Sequence, residues 1–148
     1  MLNEGIDAPN FSLRCTNGNY HNLAEFLGKK VILYFYPRDD TSGCTTEACG
    51  FRDEYKNIRN KNTVIIGISP DSVISHIGFK EKYHLPFMLL SDPEYLAARK
   101  YDILKSFLGF KIKKIIRSTF LIDEKGKIIK AFPEVNVSTH SKELLNLI

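Results

Sequence analysis

Two cysteines five positions apart, Cys44 and Cys49, stand in the stretch Tyr34-Phe-Tyr-Pro-Arg-Asp-Asp-Thr-Ser-Gly-Cys-Thr-Thr-Glu-Ala-Cys49. A small polar run, Thr41-Ser42-Gly43, separates Cys44 from an apolar, strand-like segment, so Cys44 is expected to open a helix. A helix N-terminus offers unpaired N–H groups and the positive end of the dipole. That setting lowers a thiol's pKa, and the thiolate is the reactive form. A buried structural cysteine is the alternative at Cys44, since free cysteine packs well in cores.

The spacing carries its own chemistry. Five helical residues advance the chain by about 7.5 Å and turn it by about 140°, leaving the Cα atoms roughly 8 to 9 Å apart. Disulfides need Cα atoms within about 7 Å. A bond between Cys44 and Cys49 therefore requires the helix between them to open. Alone, Cys49 reads as packing; beside Cys44 it reads as a resolving thiol, because a sulfenic acid condenses with a nearby thiol. Cys15, next to the Asn17-Gly18 turn, has no partner in sequence and reads as a bystander.

Other chemistries fit less well. His21, His76, His84 and His140 are scattered, with no H-x3-H or C-x2-C spacing, so neither a zinc site nor any metal cofactor is expected. Arg117 opens the strand-like run Arg-Ser-Thr-Phe-Leu-Ile-Asp123. An arginine in a central strand is costly unless it faces a polar site, and facing Cys44 its permanent charge would hold a thiolate.

The elements that must position these residues follow from periodicity. Phe11 to Leu13 and Tyr20 to Leu23 flank Asn17-Gly18, a hairpin signal. Val31 to Tyr36 and Thr63 to Ile68 are short runs rich in β-branched residues, expected as strands buried on both faces. The spacing of Ala48, Phe51, Tyr55 and Ile58 predicts one helix from about Thr45 to Arg59. A helix over Ser72 to Tyr83, a strand over Phe87 to Leu90 and a helix from Ser91-Asp92-Pro93-Glu94 to Tyr101 follow. Ile115 to Ile122 and Ile128 to Phe132 read as a second hairpin. Ser138 or Thr139 would cap a last helix ending at Ile148. Strands alternating with helices, plus two hairpins, imply an α/β fold: a mixed central sheet flanked by helices, with an N-terminal β-hairpin.

At 148 residues, 43% hydrophobic and 26% charged, the chain fits one domain, 1–148, able to bury a core of its own. The net charge of +4 and one basic cluster, Lys111, Lys113, Lys114 and Arg117, are too little for a nucleic-acid surface; the lysines read as a solvated edge. No charged start followed by an apolar core marks the N-terminus, and no apolar run nears the ~20 residues of a membrane span. Three cysteines, an odd count, suit a reducing compartment, so the cytoplasm is expected.

Pro37-Arg-Asp-Asp-Thr41-Ser-Gly-Cys44 matches the P-x3-T-x2-C signature of peroxiredoxins, and Cys44-Thr-Thr-Glu-Ala-Cys49-Gly-Phe-Arg-Asp53 resembles the PrxQ branch, also called bacterioferritin comigratory protein. Gly5-Ile-Asp-Ala-Pro-Asn-Phe-Ser-Leu13, Gly67-Ile-Ser-Pro-Asp71, Leu90-Ser-Asp92 and Arg117 to Asp123 extend the likeness over nearly the whole chain. The resemblance implies a thioredoxin-like fold and a cofactor-free thiol peroxidase for hydrogen peroxide and organic hydroperoxides. It implies that Cys44 is the peroxidatic nucleophile and Cys49 the resolving thiol. Thr41 would hydrogen-bond thiolate and peroxide, Pro37 would shield the thiolate, Arg117 would stabilise it and Glu47 would position Arg117. It further implies a thioredoxin-like reductant and a monomer or weak homodimer. A thiol–disulfide oxidoreductase of thioredoxin type is the alternative; those enzymes use C-x2-C, a spacing this chain lacks. A non-enzymatic binding or chaperone module, with the cysteines as core, is a further one.

Overall fold

The computed structural model describes residues 1–109 and 112–148. Chain order runs β1 (Ser12–Arg14), β2 (Tyr20–Asn22), a 3-10 turn (Leu23–Phe26), β3 (Lys30–Phe35), α1 (Ser42–Asp53), α2 (Tyr55–Arg59) and β4 (Thr63–Ser69). It continues with α3 (Val73–Tyr83), β5 (Met88–Ser91), α4 (Leu96–Lys100), β6 (Leu104–Phe107), β7 (Ile112–Ile115), β8 (Ser118–Ile122), β9 (Ile128–Phe132) and α5 (His140–Leu145).

β3 shows how one apolar run builds two cores. Successive side chains leave a strand on opposite faces. Val31, Leu33 and Phe35 enter a core shared with Phe11, Tyr101 and Phe120. Ile32 and Tyr34, with Tyr36, enter the other, shared with Cys44, Ala48, Phe51 and Leu144. The seven strands are ordered β2-β1-β5-β4-β3-β8-β9. β3 is parallel to β4, and β4 to β5, whereas β8 runs antiparallel to β3. α4 covers the first face through Ala97 and Ala98; α1, α2, α3 and α5 cover the second through Phe51, Ile58, Phe79 and Leu144. This is the mixed, helix-flanked sheet with an N-terminal hairpin that the sequence implies.

Gly67 is required where it stands. A Cβ there would lie 2.8 Å from the Tyr34 ring and 2.9 Å from Leu89 Cδ2. Its absence lets the Tyr34 ring rest on β4 beneath α1.

Four boundaries differ from expectation. The predicted helix Thr45 to Arg59 starts earlier, at Ser42, and divides at Glu54 (φ −98°, ψ 3°), whose carbonyl begins α2 and turns Ile58 inward. The helix expected from Pro93 starts instead at Leu96, because the Asp92 carboxylate accepts the N–H groups of Leu96 and Ala98 and so caps that later start. The run Ile115 to Ile122 is not one strand: β7 ends at Ile115, the Ile116 N–H turns away to Ile103 O, and β8 begins at Ser118. α5 ends at Leu145 rather than Ile148, and Thr139 precedes it without a side-chain cap bond. The β6–β7 hairpin is unanticipated; of the basic cluster near it, Lys111 lies outside the described residues, as does Phe110.

Candidate active site

β3 ends at Phe35, and residues 36–41 carry the chain from the sheet edge to α1. Thr41 is the N-cap, in extended geometry (φ −86°, ψ 157°). Its carbonyl takes the Thr45 N–H at 2.8 Å, which leaves the N–H groups of Ser42, Gly43 and Cys44 without helical partners. Ser42 and Gly43 keep this first turn small. Cys44 thus stands in the first turn of a helix, at the carboxyl end of a central strand, and is 1% exposed.

Arg117 reaches Cys44 from the break between β7 and β8. One guanidinium arm, Nη2, donates to Cys44 Sγ at 3.1 Å; the other, Nη1, donates to Glu47 Oε1 at 2.7 Å. Cys44 and Glu47 lie one turn apart on α1, so one planar fork spans both. Gly43 sets how close the fork comes, since a Cβ there would lie 3.2 Å from Nη2. Burial acts on Arg117 to lower its pKa, yet Glu47 and Cys44 more than offset it and the net shift is upward.

The carboxylate beside this cation is not fully served. Among the described residues, neither the buried Glu47 Oε2 nor the buried Tyr34 hydroxyl has a hydrogen-bond partner. Burial pushes Glu47 up to about 7, against the downward pull of Arg117. Tyr34 is raised well above the ordinary tyrosine range, chiefly by burial and then by Glu47 and Cys44.

A groove of about 550 Å³ leads toward Arg117. Pro37, Lys105, Phe107, Lys114, Ile116 and Val135 are among its walls. Lys105 and Lys114 are opposite one another in the β6–β7 register. A wider groove of about 720 Å³, near Tyr20, Ile74 and Leu96, is lined by no cysteine. Size does not mark the chemistry here; the thiol and its cation do.

The structure therefore brings Cys44, Arg117 and Glu47 into direct contact and sets Pro37 at the groove wall. Thr41 caps the turn, but its hydroxyl donates to Arg38 O at 2.9 Å and makes no bond to Cys44. Its lone pairs stay available, and the expected thiolate contact is not made in this state. Cys49 is half-buried, a free thiol like the other two, five residues along an unbroken α1. Cys15 packs in the core on the opposite face of the sheet from Cys44, where its thiol donates to Asn17 Oδ1 at 2.6 Å. Lys105 and Phe107, in the segment 105–114 whose role the sequence leaves open, stand at the groove. Their alternation in Leu104-Lys-Ser-Phe107 was the available signal.

Among the described residues, no helix is long and apolar enough to cross a membrane. The AhpC/TSA family model matches residues 5–131. Peroxiredoxin Bcp of Bacillus subtilis (strain 168) is 46% identical over 143 residues, covering 95% of this chain and 91% of that one. Among solved structures, a cysteine-to-serine variant of Xylella fastidiosa PrxQ aligns with a TM-score of 0.92 at 31% identity, over 99% of this chain and 95% of that one. Xanthomonas campestris bacterioferritin comigratory protein, solved as trapped intermediate and ligand complexes bearing on its alkyl peroxide reduction activity, aligns with a TM-score of 0.90 at 30% identity, over 98% of this chain and 96% of that one.

Proposed function

The chain belongs to the AhpC/TSA family as a peroxiredoxin of the Q, or Bcp, branch, a thiol-dependent peroxidase, and from that premise we propose that Cys44 is its peroxide-reducing nucleophile. The observation that carries this reading is the Arg117 fork, which joins Cys44 Sγ to a buried carboxylate at the carboxyl end of β3.

The Cys44 thiolate attacks the nearer oxygen of hydrogen peroxide or an organic hydroperoxide. The O–O bond breaks, the S–O bond forms, and hydroxide or alkoxide leaves to take up a proton. Charge builds on both oxygens as this happens. Arg117 and the free N–H groups of the first turn of α1 face that charge; preorganised donors of this kind stabilise the transition state rather than the substrate. Thr41 turns its free lone pairs to the peroxide proton. Pro37 keeps water from the sulfur. Cys44 is then a sulfenic acid. Cys49, as thiolate, attacks its sulfur, the S–S bond forms and hydroxide leaves as water. A thioredoxin-like dithiol protein returns both cysteines to thiols. All of this takes place within one domain, 1–148, in the cytoplasm, as a monomer or weak homodimer.

α1 runs unbroken from Ser42 to Asp53, so it must open between Cys44 and Cys49 for the disulfide to form. Gly50, immediately after Cys49, lowers the helical preference there by about 1 kcal/mol relative to alanine. The test is a Cys49→Ser variant, which consumes one equivalent of hydroperoxide per chain and then stops even with thioredoxin, while Cys44→Ser consumes none. Sustained turnover by Cys49→Ser would move resolution to Cys15 or an external thiol. Equal circular dichroism and equal amide exchange over residues 44–52 in reduced and oxidised protein would remove the opening step.

A further inference from the structure

On the α3 side of the loop that carries Thr41 lies a buried polar cluster with no part in the chemistry above. His76 is fully buried and Asp39 is nearly so. The His76 Nε2 lies 3.0 Å from Leu90 O, a carbonyl that can only accept, so Nε2 carries a proton. The other ring nitrogen, Nδ1, lies 2.7 Å from Asp39 Oδ2. That oxygen also accepts the Ser75 hydroxyl at 2.7 Å, and Oδ1 accepts the Tyr36 hydroxyl at 2.6 Å. The Asp39 N–H donates to Asp71 Oδ2 at 2.8 Å, and the Ser69 hydroxyl donates to the same oxygen at 2.6 Å.

One aspartate of the loop is thus tied to β4, β5 and α3 together. The next residue is held from outside. Asp40 sits at φ 57°, a strained value for a non-glycine residue, and its carboxylate takes Lys82 Nζ and the Tyr83 hydroxyl, each at 2.7 Å. α3 therefore grips residues 39 and 40 from two sides, immediately before the helix that must open.

A cation could in principle gather Asp39, Asp71 and His76, whose donor atoms lie within 4.8 Å of one another. Each of these atoms already meets a proton-bearing or charged group of the protein, so the cluster is complete without one. A buried acid–base pair is also poor evidence for stability, because two well-packed apolar residues often do as well. What directional bonds add is a fixed geometry.

Resting on the assignment of Cys44 and Cys49 above, we propose that His76 is a positioning residue for the peroxide step. Through Asp39 it holds residues 37–41 in the form that receives peroxide, and α3 keeps them there while α1 opens to bring Cys44 to Cys49. The helix then re-forms against an unmoved template after reduction. Loosening the pair slows the reaction with peroxide, which needs the closed loop, and leaves disulfide formation as fast or faster, since that step needs the open helix.

The chain has no tryptophan, so the two steps are read by rapid quench with a thiol-alkylating reagent and mass spectrometry of the Cys44 thiol, sulfenic acid and disulfide. His76→Leu and Asp39→Ala each lower the second-order rate of Cys44 oxidation by about 10- to 100-fold, the range that small displacements of catalytic groups produce. Conversion of sulfenic acid to disulfide does not slow. The double variant is no slower than the worse single, because the pair acts as a unit. If His76→Leu does not fold, His76→Gln, which keeps a donor for Leu90 O, shows the same split. Oxidation at the wild-type rate in a folded variant, an equal fall in both steps, or a double variant slower by the product of the singles overturns the proposal. A wild-type chain that consumes no peroxide sinks the assignment of Cys44 itself, and the role of His76 with it.

Discussion

Two buried pairs of an acid and a base flank the same loop, and they are finished to different degrees. In His76–Asp39 both ring nitrogens and both carboxylate oxygens have partners. In Arg117–Glu47 one carboxylate oxygen has none among the described residues, and the cation spends its second arm on a sulfur rather than on the carboxylate. Their side chains differ in access too: His76 is wholly buried, whereas Arg117 is 22% exposed at the groove. A pair whose task is to hold can be filled completely. A pair proposed to serve the reacting sulfur gives one arm of its cation to that sulfur and leaves its own carboxylate incompletely bonded.

The largest effect should come from breaking the filled pair. His76→Leu leaves the Asp39 carboxylate buried without its ring partner, and should lower the unfolding free energy by about 3 to 5 kcal/mol in denaturant titration, with much of it regained in Asp39→Ala/His76→Leu. A loss below about 1 kcal/mol would erase the contrast between the pairs. Next, Arg117→Ala removes the donor proposed for the transition state and should cut the rate of Cys44 oxidation by about 10²- to 10³-fold in the same quenched-flow assay, with a smaller change in stability.

The pairs should also differ in the sign of their pH dependence. Burial lifts Glu47 from 4.5 to about 7, so its neutral form is the one the fold prefers. Its contribution to stability is full below about pH 4.5 and is lost as pH rises toward 7, by roughly 2 to 3 kcal/mol. Glu47→Gln should flatten that slope in melts between pH 5 and 8. Asp39 behaves oppositely: burial would raise its pKa, but His76, Tyr36 and Ser75 bring it below the ordinary range. Its contribution is present above the unfolded value and fades only as pH falls through the folded one. An unchanged slope in Glu47→Gln would put both pairs in one class. The smallest effect is at Gly43, where alanine would press on Arg117 Nη2. Gly43→Ala should slow peroxide consumption a few-fold while helix preference raises stability by up to about 1 kcal/mol.

Legibility in the sequence follows how far a signal reaches. β3, β4 and α3 were legible because apolar runs and caps act over neighbouring residues. Cys44, Cys49, Pro37 and Thr41 could be singled out because they stand close together in a recognisable pattern, though the Thr41 hydroxyl turns to Arg38 O and not to the sulfur. The β6–β7 hairpin was not, since its lysines look like any solvated edge. The break at Ile116 was hidden because it depends on a bond to Ile103 from outside the run. The His76–Asp39 pair joins residues 37 positions apart, and nothing local announces it. A trace existed nonetheless: His76 shares a helical stripe with Phe79 and Tyr83, an apolar face on which a histidine needs a buried partner.

The two-residue gap between β7 and β8 has a further meaning for how such a molecule can diversify. Arg117 is held by Glu47 of α1 and follows the turn at Ile116, whereas one wall of the groove ahead of it comes from the β6–β7 hairpin, facing Pro37 and residues 133–135. Substitutions in the hairpin can therefore alter which molecules fit beside the cation without moving the cation itself. Selection on substrate and selection on chemistry can thus act on separate stretches of chain, joined by the short turn at Ile116.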